Sequence, residues 1–199
     1  MEMERTLKRI RKKESIFFIA MISIAILVPV LAFLANLNST FVYVYIVSIE
    51  ILILISILVK INICTLRFKY YNGRFKIRQG LFFKESIILC DNVALVHTNK
   101  EQEDIELVII MSSRFRNKKA RLVTQGFFNK YSEIEDEYIR IKRINEDESY
   151  YYQIIKSGSL RKYIFLEKIY TTCVKAVYTQ NAIESIKIAR GQINFNERG

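Results

Sequence analysis

IFFIAMISIAILVPVLAFLA, residues Ile16 to Ala35, runs for twenty residues without a charge. A helix rises about 1.5 Å per residue, so this stretch is long enough for the ~30 Å hydrocarbon core of a bilayer. A secretory signal is the rival reading, because Arg5 to Lys13 resembles a basic leader region. A signal's apolar core is about 7–15 residues long and is followed by a small-residue cleavage site, and this stretch meets neither condition. A second run, FVYVYIVSIEILILISILV from Phe41 to Val59, follows after Asn36-Leu37-Asn38-Ser39-Thr40. Two spans with so short a link predict a transmembrane helical hairpin over residues 16–60.

The positive charges orient the hairpin. Arg5, Lys8, Arg9, Arg11, Lys12 and Lys13 precede the first span, Lys60, Arg67 and Lys69 follow the second, and the link carries no Lys or Arg. The positive-inside rule then predicts a multi-pass protein of the cytoplasmic (inner) membrane with both termini in the cytoplasm and the link outside. Residues 1–15 form a basic cytoplasmic segment, and Tyr43 and Tyr45 fall at the outer interface. Pro29 is expected to kink the first span. Glu50 stands near the middle of the second, where a carboxylate costs about 2.5 kcal/mol or more. It is a candidate for ion or proton conduction, or for a structural hydrogen bond to Ser23 of the first helix or to its own copy in an oligomer.

Composition bounds the rest. The chain has 199 residues, 51% hydrophobic and 26% charged, which is too apolar for a disordered chain and too short for two large domains. A net charge of +11 predicts anionic partners, and lipid headgroups and nucleic acid both qualify. Three Cys and one His leave little material for metal chemistry or a disulfide framework.

After Lys60 the pattern changes to short runs broken by turn residues. Thr65 to Tyr71 alternates apolar and basic residues, Asn72-Gly73 is a hairpin signal, and Arg74 to Gln79 returns with Phe75 and Ile77 on one face and Arg74, Lys76 and Arg78 on the other. Lys84–Cys90, Val93–His97, Ile105–Met111, Arg121–Thr124, Glu137–Ile144 and Tyr150–Lys156 complete a predicted series of seven or eight strands, the spacing of a barrel or sandwich. Ile139 and Ile141 are predicted to point inward, and in Tyr150-Tyr151-Tyr152 the outer pair is expected to be exposed. From Leu160 apolar residues recur at helical spacing as far as Arg190-Gly191. That predicts one helix over 160–190 or two with a break near Asn181, with Ser159 as its cap.

A transmembrane hairpin followed by Tyr70-Tyr71-Asn72-Gly73-Arg74-Phe75-Lys76-Ile77-Arg78-Gln79-Gly80-Leu81, then Ile87-Ile88-Leu89 and Asp91-Asn92-Val93, resembles the bacterial PH-like, "membrane-flanked" domain family. The resemblance covers residues 65–97 best and is topological beyond them. It implies an α+β body over 61–199, a seven-stranded bent β-sandwich plugged by a C-terminal helix, with no catalytic residues to carry over. The acidic stretch Glu133–Asp136 and the length of the C-terminal helix depart from the pattern.

No catalytic motif emerges. His97 and the scattered Cys64, Cys90 and Cys173 contain no C-x₂-C pair, and Cys90 and His97 have opposite strand parity. Cys64 lies where juxtamembrane palmitoylation occurs, on position alone. Glu101/Glu103/Asp104 and Glu146/Asp147/Glu148 sit in polar turns that read as solvated charge. The most specific polar feature is the loop Arg114-Phe115-Arg116-Asn117-Lys118-Lys119-Ala120-Arg121. Arg114, Arg116, Lys118, Lys119 and Arg121 are the candidate lipid- or anion-binding residues. The expectation is a non-enzyme without metal or cofactor: an interaction module at the inner face of the membrane that contacts lipid and a protein partner or its own copy. A transport or channel subunit is the alternative, and nucleic acid ranks last among the partners.

Overall fold

The computed structural model describes residues 2–35, 39–81, 84–101 and 104–191. The predicted outer link therefore lies mostly outside the described residues, as do Glu103 and residues 192–199. Two helices open the chain, α1 (Glu2–Leu34) and α2 (Thr40–Cys64). Ser15–Leu34 and Thr40–Cys64 are long and apolar enough to cross a membrane. Pro29 lies inside α1 without ending it. None of the residues in the first stretch is buried, and Ile53 is the buried residue of α2. These are not core helices of a globular body.

The body begins with the hairpin that the sequence announces. β1 (Leu66–Tyr71) and β2 (Arg74–Gln79) are antiparallel, and Asn72 (φ 46°) and Gly73 (φ 69°) supply the two positive φ angles of its turn. β3 (Ser86–Leu89) adds to β2, completing a three-stranded sheet. A 3-10 turn over Cys90–Asn92 leads to β4 (Val93–Glu101) and β5 (Asp104–Met111). With β6 (Arg121–Leu122), β7 (Tyr151–Ile155) and β8 (Val177–Tyr178) they form a second sheet in the order β6-β7-β5-β4-β8, β8 running parallel to β4.

Both faces of the second sheet are covered, which is why five consecutive apolar residues, Leu107–Met111, stand in β5. On one face Leu107, Ile109 and Met111 meet Leu66, Phe75 and Ile77 of the first sheet, together with Phe165, Leu166 and Ile169. Those last three lie on α5 (Arg161–Thr172), whose Phe165 ring packs 4.9 Å from Phe68 and 5.3 Å from Phe75. On the other face Leu95, Val108 and Ile110 pack against Phe127, Phe128, Tyr131, Ile134 and Tyr150.

That second layer corrects three expectations. Glu137–Ile144 is not a strand but part of a helix, α4 (Glu135–Ile144), which follows the short α3 (Gln125–Phe128). Glu135, Asp136 and Glu137 in its first turn and Lys142 and Arg143 in its last suit the helix dipole. Its inward residues are Tyr138 and Ile141, one helical turn apart, while Ile139 is exposed. Because this layer covers the sheet, Tyr150 is buried and Tyr152 packs 4.4 Å from Phe127, so neither forms the exposed aromatic pair. The C-terminal helix is also not continuous. It breaks at residues 173–179, earlier than Asn181, where β8 pairs Val177 with Leu95 and Tyr178 with Val96, and α6 (Gln180–Ala189) follows. Thr179 caps α6 by accepting from the Ala182 amide. Ser159 does not cap α5; its φ is 43° and its carbonyl accepts from Lys162 N.

The end of α2 is fixed to the body at two points. Gly158 N donates to Ile63 O at 2.9 Å, and Leu81 N donates to Asn62 Oδ1 at 2.9 Å.

Candidate functional site

The basic loop is partly a surface and partly a structural tie. Asn117 is buried, and its amide donates to Gln153 Oε1 at 2.6 Å while its Oδ1 accepts from Lys119 N at 3.1 Å. Arg116 adopts φ 46°, and Arg114 Nε donates to Asn117 O. This framework turns Arg114, Arg116, Lys118 and Arg121 out to solvent, and Arg121 belongs to β6. Lys119 differs from the other four candidates. It is half-buried with its Nζ 3.3 Å from Gln79 Oε1, and burial lowers its pKa. Phe115, 40% exposed, lies between two guanidinium groups, 5.8 Å from Arg74 and 5.6 Å from Arg116.

Arg74 carries the cationic surface onto the first sheet. The outward residues of β1 and β2 are Arg67, Lys69, Tyr71, Arg74, Lys76 and Arg78, all exposed. In the register, Arg67 lies opposite Arg78, Lys69 opposite Lys76 and Tyr71 opposite Arg74. Beside β1 runs a groove of about 800 Å³ lined by Cys64, Arg67, Lys69, Ser159, Leu160 and Arg161 among others, at the point where α2 ends.

A second polar group is sealed inside. His97 is buried, with Nδ1 2.9 Å from Thr179 Oγ1 and Nε2 4.0 Å from Glu133 Oε2, which accepts from Asn181 Nδ2. Since Thr179 Oγ1 accepts the Ala182 amide, its own proton is available to Nδ1, leaving the imidazole proton on Nε2 toward Glu133. In the same buried layer, Glu106 pairs with Lys156 at 3.0 Å and Lys130 at 3.4 Å. Burial raises the Glu106 pKa, but the hydrogen bonds from Lys156 and Tyr131 and the two ammonium charges outweigh it, and the net shift is downward. These contacts tie sheet, α3–α4 layer and α6 together.

No family model, curated protein or solved structure matches this chain.

The His97 tie has a pH signature. Burial, the larger effect, pushes its pKa below 6.5 against the opposing pull of Glu133 and Glu106. The unfolded chain then binds its proton at higher pH than the folded one, so stability falls as pH drops below 6.5 toward the folded value. The melting temperature of the wild type is expected to fall between about pH 7.5 and about pH 5.5, and His97→Gln is expected to flatten that fall. An unchanged slope in the variant would contradict the assignment; the Glu106 contribution is lost only at lower pH, beneath 4.5.

Three cysteines left little material for a disulfide framework, yet two of them form one bridge. Cys90, between β3 and β4, bonds to Cys173, at the end of α5, with Cα atoms 4.8 Å apart. Their separation of 83 residues hid the pairing from any local spacing rule. Among the described residues no group of three or more His, Cys, Asp or Glu could hold a metal. In α2, Glu50 Oε1 is enclosed and has no hydrogen-bond partner among the described residues, and Ser23 is exposed, so the bond expected between them is not made.

Proposed function

We propose that this protein is a membrane-anchored, non-catalytic module with a PH-like body, gathering a protein partner or anionic headgroups at the inner face of a bacterial cytoplasmic membrane. The observation that carries the reading is the bare apolar surface of α1 and α2. Ile19, Leu27, Leu34, Val44, Leu52 and Leu54, all exposed, represent a surface that nothing among the described residues covers. Soluble monomers rarely expose contiguous apolar patches beyond a few hundred Å², and a bilayer is the medium that removes the cost. The PH-like reading draws on the β1–β3 meander, the β4-β5-β7 sheet and α5 across the seam; the α3–α4 layer and β8–α6 are additions to that plan. A binding rather than catalytic role is favoured because the polar groups the fold gathers, His97 and Glu106, tie layers together instead of lining a groove. The cations Arg114, Arg116 and Lys118 are outward, where a partner meets them.

Full-length chain is expected to stay with the membrane after an alkaline wash, and a reporter fused after Gly199 to be active on the cytoplasmic side. Release into the supernatant, or activity on the exterior side, would refute the proposal. Loss of a partner crosslink in an Arg114→Gln/Arg116→Gln/Lys118→Gln variant would assign the contact to the loop.

Glu50 favours a second role for the hairpin. A carboxyl oxygen enclosed in a membrane helix without a partner is costly, and a second copy or a conduction path would satisfy it. Glu50→Leu is expected to lower the yield of crosslinked oligomer severalfold. Unchanged oligomer yield together with unchanged ion flux in reconstituted Glu50→Gln would remove both roles.

A further inference from the structure

We infer that the outward face of the first sheet is a contact surface for anionic phospholipid, lying against the leaflet into which α2 runs; the inference rests on the membrane reading above. Five of the six outward residues on β1 and β2 are cations: Arg67, Lys69, Arg74, Lys76 and Arg78. A solvated sheet face ordinarily mixes signs, and like charges directly opposite on neighbouring strands destabilise the pair. Here the register sets Arg67 against Arg78 and Lys69 against Lys76. Among the described residues none of the five makes an ion pair with an acid; Arg78 donates to the carbonyl of Leu81. The fold thus tolerates two like-charge pairs side by side, and an external anion relieves the repulsion.

Three features select a lipid surface as that anion. Arg67 stands three residues beyond Cys64, the last residue of α2, and the whole of β1 lies within about 23 Å of it at the rise of a strand. The two hydrogen bonds from Asn62 and Ile63 hold the body to the end of α2, so the tether keeps the cations at high local concentration near the headgroups. The face is also a hydrogen-bonded sheet edged by Tyr71, 73% exposed, an amphipathic ring suited to the headgroup region. Nucleic-acid grooves stack successive bases on a series of aromatic rings; β1 and β2 turn a single ring outward, Tyr71, with Phe115 beside Arg74 at the same end. The anions in question are phosphodiester headgroups, met as a surface rather than as one bound molecule.

The test uses full-length protein in nanodiscs of phosphatidylcholine alone or with about 30 mol% phosphatidylglycerol, and amine acetylation read by mass spectrometry. Acetylation of Lys69 and Lys76 is expected to fall severalfold with phosphatidylglycerol and to recover at about 0.5 M salt, with Lys187 on α6 as the unchanged reference. Arg67→Gln/Arg78→Gln is expected to melt no lower than wild type in detergent, because a repulsive pair is removed, and to lose the lipid-dependent protection of Lys69 and Lys76. Equal acetylation in both nanodiscs, from protein that survives an alkaline wash, would overturn this inference and leave the anchored module standing. Protein that leaves the membrane in that wash overturns the module reading and this inference together. Protection of the two lysines by RNA but not by phosphatidylglycerol would overturn it in favour of nucleic acid.

Discussion

Gly158→Ala is expected to cost the body about 3–5 kcal/mol, the sum of backbone strain and overpacking. Gly158 has φ +119°, where L residues rarely sit, and an added Cβ would lie 2.3 Å from Leu66 Cβ and 2.9 Å from Leu66 Cδ2. Neither side can yield cheaply. Leu66 is fully buried at the start of β1, and Gly158 N holds Ile63 O, so any shift pulls on the junction between α2 and the core. Gly191 is the control: its φ is +70° but nothing lies within 4 Å of where a Cβ would stand, so Gly191→Ala carries the strain without the clash. Denaturation of the two variants in detergent measures the difference. A Gly158→Ala midpoint equal to that of Gly191→Ala would refute the added cost assigned to the Leu66 contact.

Breaking the Cys90–Cys173 bridge is expected to have an effect of similar size on oxidised protein. Closing a loop of 83 residues stabilises by about 4 kcal/mol on chain-entropy grounds, on the order of 10 °C in melting temperature. Oxidised wild type should therefore melt well above Cys173→Ser, and a reductant should bring the wild type down while leaving the variant unchanged. A wild-type midpoint indifferent to reductant would mean that the bridge does not constrain the unfolded chain. The same cysteines report the compartment. A cytoplasmic body keeps the pair as thiols, so protein trapped from intact cells should alkylate at Cys64, Cys90 and Cys173. Alkylation at Cys64 alone would put the body in an oxidising space and reverse the orientation drawn from the charges.

Much of the first sheet, and β5 of the second, was legible because their signals are local. The Asn72-Gly73 turn, the alternation in Arg74–Gln79 and the apolar Ile105–Met111 each express a periodicity or a backbone preference within a few residues. Glu137–Ile144 failed for a related reason: Ile139 and Ile141 match a strand's period of two, while the contacts that decide the matter, Tyr138 and Ile141 against Phe128 and Tyr150, follow a helical turn. The α3–α4 layer in turn changed the setting of Tyr150 and Tyr152. In the basic loop the outward cations were legible, but the tie from Lys119 to Gln79 was not, since its partner lies forty residues away.

Sequence alone determined which stretches are apolar and long enough for a bilayer, and which face of each early strand is cationic, because run length and alternation are properties of neighbouring residues. Only the tertiary structure decided that Cys90 meets Cys173, that His97 is held by Thr179, and that Arg67 and Lys69 stand opposite Arg78 and Lys76. Those pairings are set by how strands register and layers close, and that choice is made by packing across the whole body.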